Sequence, residues 1–137
     1  MAGLVVVVVV VVVVLLVVLL RRRYVVARVR GHSMSPTFHD GERVVATRRR
    51  HYRVGDVIVF RPRHAAGDVA WRIKRIAAVA GDPVPAWLET DHPVVPAGRV
   101  VVVGDNTGHS QDSRQLGYIE ISGVAGAVPD RPAPEGS

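Results

Sequence analysis

An unbroken run of seventeen valine and leucine residues, Leu4 to Leu20, constrains this 137-residue chain more than any other feature. As a helix the run would span about 25 Å, close to the thickness of a bilayer's hydrocarbon core. It is longer than the apolar region of a secretory signal, about 7–15 residues, and no small-residue cleavage motif follows it. The run therefore predicts an uncleaved membrane anchor that includes its basic flank, residues 1–23. The lipid bilayer is the first expected partner.

The charges beside this run favour one orientation. Arg21, Arg22 and Arg23 follow it directly, whereas only Met1–Gly3 precede it. Because basic residues tend to remain on the cytoplasmic side, charge alone predicts that the rest of the chain lies in the cytoplasm.

The remainder of the chain predicts one small β domain, residues 24–128. Short apolar segments are separated by turn signals rich in Gly, Pro, Asp and Asn. The predicted strands are Tyr24–Arg30, Arg43–Ala46, Asp56–Phe60, Val69–Val79, Arg99–Val103 and Tyr118–Val128. This spacing favours a mainly β fold, a small antiparallel sandwich or open barrel, behind one N-terminal transmembrane helix. Residues 129–137 contain too little apolar surface to pack and are expected to form a disordered tail.

Composition narrows the classes of function. The formal charge is +6, but the arginines cluster near the anchor or in loops, and the few aromatic residues do not alternate with them. This pattern favours anionic headgroups over nucleic acid. The chain has no cysteine, so disulfides and thiolate metal sites are excluded, and its six histidines show no paired metal-ligand spacing. No metal or other cofactor is expected.

Lys74 is the only lysine, against seventeen arginines. A guanidinium stays protonated, whereas a desolvated amine can lose its proton and act as a base. Strand alternation places Lys74 on one face with Arg72, and Ile73 with Arg75 on the other. Taken alone, the commoner interpretation is a solvated strand lysine in a chain that prefers arginine.

A serine lies in a segment bounded by glycine and proline, Gly31 to Phe38, with the sequence GHSMSPTF. A strand that ends at Gly31 and a turn at Pro36 would hold Ser33 on a rigid bend. There its hydroxyl is accessible as a nucleophile, and its backbone N–H can donate to an oxyanion. A plain polar turn has the same composition.

A third segment, residues 104–114, has the sequence GDNTGHSQDSR. Asp105 and Asn106 form an ordinary turn signal of the Asx type. Asp112 and Arg114 would project to the same side of an extended segment and could pair. Ion pairs of this kind are common on surfaces and contribute about 0–1 kcal/mol.

Together and in this order, the three features resemble those of type I signal peptidases, in a compact form like that of actinobacteria. The resemblance covers about residues 31–128. It also includes Val54–Phe60, which looks like the family's strand before the lysine, and Gly81–Asp82, which looks like the end of the lysine motif. It implies a membrane-anchored serine endopeptidase that removes signal peptides from exported preproteins through an acyl-enzyme. It further implies a single-pass, monomeric protein of the cell membrane with its catalytic domain outside the cytoplasm, contrary to the orientation that charge alone favours.

The resemblance also implies roles for individual residues. Ser33 would be the nucleophile and contribute its N–H to the oxyanion hole, and Lys74 would be the general base. Ser110 would orient the Lys74 amine by a hydrogen bond, and Asp112 and Arg114 would form an ion pair that shapes the site. Asp105 is a further supporting residue, and the pocket for small side chains one and three residues before the cleaved bond is expected beside Val29, Gly31, Met34 and Ile73.

The sequence departs from the family pattern at a few positions. Gly31 stands where some bacterial members have a serine that assists the oxyanion hole, so another donor or a backbone-only hole is expected. Ala78 and Ala80 replace the usual glycine and proline after the lysine. Two other functions stay open: a dedicated maturation peptidase for one precursor, such as that of nickel superoxide dismutase, and an inactive membrane-tethered binding module.

Overall fold

The chain begins with one long helix. The structure, a computed structural model, describes residues 1–62 and 71–129. Helix α1 spans Ala2–Arg23, and none of its residues is buried against the rest of the protein. In the described part of the chain it alone is long and apolar enough to cross a membrane, judged by length and composition. It ends at Arg23, the residue at which the predicted anchor also ends.

The rest of the described chain is mainly β, as predicted. Seven strands form one sheet in the order β1-β2-β7-β3-β4-β5-β6, and all paired neighbours are antiparallel. The strands are β1 Tyr24–Arg28, β2 Arg43–Thr47, β3 Val57–Phe60, β4 Arg72–Val79, β5 Arg99–Val103, β6 Ile119–Glu120 and β7 Val124–Val128. β1 and β6 are the edges, so the sheet is open. It is a single sheet and not the two layers of a sandwich, because β7 pairs with both β2 and β3 and joins the two halves.

The strand predicted over Tyr118–Val128 is wrong as a single element. Ile119–Glu120 pairs with β5 at one edge, whereas Val124–Val128 lies between β2 and β3. A 3-10 turn at Ile121–Gly123 carries the chain from one position to the other. Gly126 permits the second pairing, because a Cβ there would lie 2.7 Å from the backbone of Thr47. A short helix that was not predicted, α2, spans Ser113–Leu116. Residues 69–70 of another predicted strand and residues 130–137 of the predicted tail lie outside the described residues.

Strand β3 lies between two apolar clusters. All four of its residues are buried. Its first and third residues join one cluster and its second and fourth the other, as strand alternation requires. The first cluster also contains Met34, from the segment after β1, and Ile73, from β4. The core therefore holds the serine segment against the strand that carries the lysine.

Candidate active site

Ser33 and Lys74 meet although 41 positions separate them in the chain. The Lys74 Nζ donates to the Ser33 Oγ at 2.6 Å and to the Ile73 carbonyl at 3.1 Å. Lys74 is only 5% exposed, so the solvated lysine of the commoner interpretation is excluded. When the amine is neutral, the same contact allows the serine hydroxyl to donate its proton to the lysine. The pair has the reach that a nucleophile and its base require.

The environment of Lys74 favours the neutral amine. The pKa of Lys74 is lowered from 10.5 to about 8: burial is the main cause, the charge of Arg72 also lowers the pKa, and Asp112 opposes the change by favouring the charged form. The other neighbouring arginine, Arg75, is paired with the Asp105 carboxylate, with Nη2 and Oδ2 2.8 Å apart.

The segment after β5 contacts the backbone of Ser33 and of the residue before it. The Asn106 N–H donates to the Ser33 carbonyl at 2.8 Å, and its side-chain amide donates to the His32 carbonyl at 3.0 Å. A Cβ at Gly104 would lie 2.7 Å from the Ser33 carbonyl oxygen and 2.6 Å from the Ser110 Cβ. Only glycine therefore allows this approach. The sequence interpretation missed both Gly104 and Asn106 as supports, although the Gly-Asp-Asn triplet was the available signal.

The backbone N–H of Ser33 is available for an oxyanion, since within residues 1–62 and 71–129 it donates to no acceptor. Gly31 has a φ of 79°, a conformation that favours glycine and gives a reason for its presence at this position. Its own N–H donates to Asp40 Oδ1 at 2.9 Å. Gly31 is therefore not the second backbone donor.

Ser110 does not make the hydrogen bond to Lys74 that was expected. The Lys74 amine is directed to Ser33 and to the Ile73 carbonyl. The Ser110 Oγ is buried, and in the described part of the chain it is the one buried side-chain polar atom without a partner. An unsatisfied buried hydroxyl costs about 1–3 kcal/mol. The structure thus brings Ser110 next to the site through Gly104, without the predicted contact.

Asp112 and Arg114 pair, but not on an extended segment. Asp112 is fully buried and caps the N-terminus of α2. Its carboxylate accepts from the Arg114 Nε and Nη2, each at 2.9 Å, and from the Gly104 N–H at 3.1 Å. Burial alone would raise the pKa of Asp112, but these bonds outweigh it and hold the pKa below its ordinary value. The ionised carboxylate fixes the loop that contacts Ser33.

Asp105 forms a second ion pair and is more than a turn residue. It accepts from the Arg75 Nε and Nη2, each at 2.8 Å, and from the Thr37 hydroxyl at 2.6 Å. Burial alone would raise the pKa of Asp105, but the bonds from Arg75 and Thr37 lower it below its ordinary value. The carboxylate therefore ties β4 to the serine segment. The sequence interpretation did not assign Arg75 to this contact.

A groove of about 320 Å³ opens beside the Ser33–Lys74 pair. All four predicted pocket residues line it, and three of them (Val29, Met34 and Ile73) are buried. The groove is also lined by residues that were not predicted, Arg30, His32, Trp71, Arg72, His109 and Gln111. Among the described residues no group of three or more histidine or carboxylate side chains could hold a metal ion.

A serine hydroxyl bonded to a buried lysine amine, beside a groove with apolar and basic walls, is the arrangement that a serine nucleophile and a lysine base would require in a hydrolase. The sequence profile of one family, described as signal peptidase, peptidase S26, matches residues 2–87 and 85–130. The chain belongs to this family.

Individual relatives agree with this membership. The mitochondrial ATP-independent inner membrane protease subunit 1b of Arabidopsis thaliana is 33% identical over 75% of this chain and 66% of its own. The mitochondrial inner membrane protease subunit 2 of Danio rerio is 36% identical over 74% of this chain and 60% of its own. Signal peptidase IB of Staphylococcus aureus is 29% identical over 73% of each chain. The chain thus spans less than two thirds of the length of the first two relatives.

Proposed function

We propose that this protein is a membrane-anchored serine endopeptidase that removes signal peptides from exported preproteins. The observation that carries the proposal is the 2.6 Å contact between the Ser33 Oγ and the Nζ of a buried lysine. A tethered module that only binds a partner would need neither a lysine removed from solvent nor a serine hydroxyl bonded to it. Membership of the signal peptidase family supports the same function.

The proposed mechanism of peptide-bond cleavage follows from the atoms that can hold the transferred proton at each step. Neutral Lys74 accepts the Ser33 proton as the Ser33 Oγ attacks the carbonyl carbon of the cleaved bond. The Ser33 N–H donates to the oxyanion of the tetrahedral intermediate. The Lys74 ammonium then gives its proton to the leaving amine, and an acyl-enzyme remains. Lys74 then deprotonates a water molecule, which attacks the ester carbonyl. The tetrahedral intermediate breaks down by loss of the bond to the Ser33 Oγ, the carboxylic acid product leaves, and the Lys74 ammonium returns its proton to Ser33.

The groove suits small apolar side chains. Val29, Met34 and Ile73 provide apolar walls beside the nucleophile. We assign to them the side chains one and three residues before the cleaved bond, since alternate residues of an extended peptide point to the same side. The substrates are therefore preproteins with small residues at these two positions, and a monomer is sufficient to cut them.

Helix α1 is the proposed anchor, and the catalytic domain is placed on the extracytoplasmic face of the cell membrane, where exported preproteins emerge. β1 begins at Tyr24, directly after the helix, so the groove lies close to the bilayer. Added protease should digest the domain in spheroplasts with an intact membrane. Protection until the membrane is lysed would instead support the cytoplasmic orientation that Arg21–Arg23 favour.

The mechanism is tested with the full-length protein in detergent micelles and a preprotein substrate. Ser33→Ala and Lys74→Arg should each reduce cleavage by at least about 10³-fold, because each removes one partner of a unit that acts together. Lys74→Arg is informative because it keeps the charge and removes only the accessible neutral base. Ser35→Ala, in the same segment, is the matched control and should keep normal activity. Normal cleavage by Lys74→Arg would eliminate the proposed mechanism.

A further inference from the structure

The groove beside Ser33 is lined by basic side chains and by no carboxylate of the described residues. Arg30 and Arg72 line it together with His32 and His109. Two carboxylates that contact or neighbour the lining residues have partners of their own: Asp40 accepts from the Gly31 N–H, and buried Asp112 is paired with Arg114. The groove therefore stays positive even when Lys74 is neutral.

Arg72 is the basic residue of β4 that shares a strand face with Lys74. It lies two residues before Lys74 on β4, so it shares a face with Lys74 at a distance of about 7 Å along the strand. Its Nη1 donates to the Oε1 of Gln111, which also lines the groove, at 3.3 Å. In the described part of the chain it forms no ion pair. The guanidinium is thus held over the groove with most of its five N–H donors unused.

The register of an extended substrate brings one side chain towards Arg72. The proposed pockets for the first and third residues before the cleaved bond lie on the side of Met34 and Ile73. Side chains alternate along an extended peptide, so the second residue points to the opposite side. Arg72 and Ile73 are adjacent in β4, so their side chains lie on opposite sides of that strand. Arg72 therefore lies on the side to which the second substrate residue points.

We infer that Arg72, positioned by Gln111, selects substrates with an acidic side chain at the second residue before the cleaved bond. A carboxylate there can accept two parallel hydrogen bonds from the guanidinium, which a neutral amide or a lysine cannot do. The inference rests on the proposed peptidase function and specifies its substrates: small, acidic and small residues, in that order, before the cut.

The test uses the full-length protein in non-ionic detergent and three peptides that differ only at this position, as Glu, Gln or Lys. At low salt kcat/KM should be about fivefold higher for Glu than for Gln, as for a well-formed ion pair at a partly exposed site, and salt should reduce the ratio. Arg72→Gln should bring the Glu-to-Gln ratio to about one, and Arg72→Glu should favour the Lys peptide. Comparing two peptides on one enzyme cancels any effect of Arg72 on Lys74.

Arg28→Glu is the matched control, because Arg28 is exposed on β1 and does not line the groove. It makes the same charge change and should keep the preference for Glu. Equal rates for Glu and Gln in the unmodified protein would overturn the inference, as would a preference that survives Arg72→Gln or appears only at another position. If no peptide is cut, or if Lys74→Arg cuts them normally, the peptidase proposal itself fails. Ser33-dependent cleavage without charge preference overturns only the role of Arg72.

Discussion

The depressed pKa of Lys74 predicts a specific dependence of cleavage on pH. A pKa of about 8 in place of 10.5 shifts the free energy of deprotonation by about 3 kcal/mol in favour of the neutral amine, relative to an unperturbed lysine. At pH 7 roughly one molecule in ten then carries a neutral Lys74, against about one in three thousand for an unperturbed lysine. The lowered pKa thus raises the neutral fraction about 300-fold, which makes a lysine usable as a base near neutral pH.

The assay is kcat/KM from pH 6 to 10 for a peptide without ionisable side chains near the cleaved bond. Below pH 8 the rate should rise about tenfold per pH unit, and it should level off above an apparent pKa of about 8. Arg72→Gln should move this apparent pKa upward, because Arg72 lowers the pKa of Lys74.

The lone lysine offers an independent measurement. An amine-selective reagent can modify the side chain of Lys74 and of no other residue, apart from the α-amino group of Met1. The rate of modification, followed at the Lys74 peptide by mass spectrometry, should show the same pKa as cleavage. An apparent pKa near 10 in both experiments, or a rate of cleavage independent of pH, would refute the reasoning that burial creates the base.

Two further predictions concern residues that the structure places under constraint. Gly104→Ala should reduce activity at least about tenfold and destabilise the fold by about 1–3 kcal/mol, because its Cβ would lie 2.6 Å from the Ser110 Cβ and 2.7 Å from the Ser33 carbonyl oxygen. Gly108→Ala, whose Cβ would meet nothing within 4 Å, is its control, and equal activity of the two variants would contradict the packing argument. Lys74→Met should abolish cleavage but raise the free energy of unfolding at pH 7 by about 1–3 kcal/mol, since the folded state disfavours the charged amine. The unfolded chain binds the extra proton between pH 8 and 10.5, so this gain should shrink as pH rises through that window, and a variant less stable at pH 7 would contradict it.

The two ion pairs give the site its rigidity at neutral pH. Asp105 ties β4 to Thr37 in the serine segment, and Asp112 holds the loop that contains Gly104. The pKa of each carboxylate is below its ordinary value, so their contribution is present above the pKa of an unfolded carboxyl and lost as pH falls through the folded value. The fixed parts of the site therefore persist across the whole pH range in which Lys74 gains or loses its proton.

Local patterns in the sequence were sufficient to predict much of the fold and the family of this protein. The run from Leu4 to Leu20 predicts a long apolar helix, because a single segment of this kind can satisfy its own backbone groups in a bilayer only as a helix. Alternation and turn residues predict the β domain and most of its strands, and the order of the serine, lysine and aspartate segments indicates the family. The residue type of Lys74 even indicates the chemistry, since arginine cannot become neutral at physiological pH.

Only the tertiary structure decided which side chains meet. Strand alternation could not show that Lys74 would be buried against Ser33, because burial depends on the apolar cluster that Met34 and Ile73 share across the sheet. The division of Tyr118–Val128 into two elements depends on β7 pairing between β2 and β3, far from β5. Only the tertiary structure likewise reveals the Arg75–Asp105 pair, the unsatisfied Ser110 hydroxyl and the position of Arg72 over the groove. Each depends on contacts between residues distant in sequence, and local propensity contains no information about those contacts.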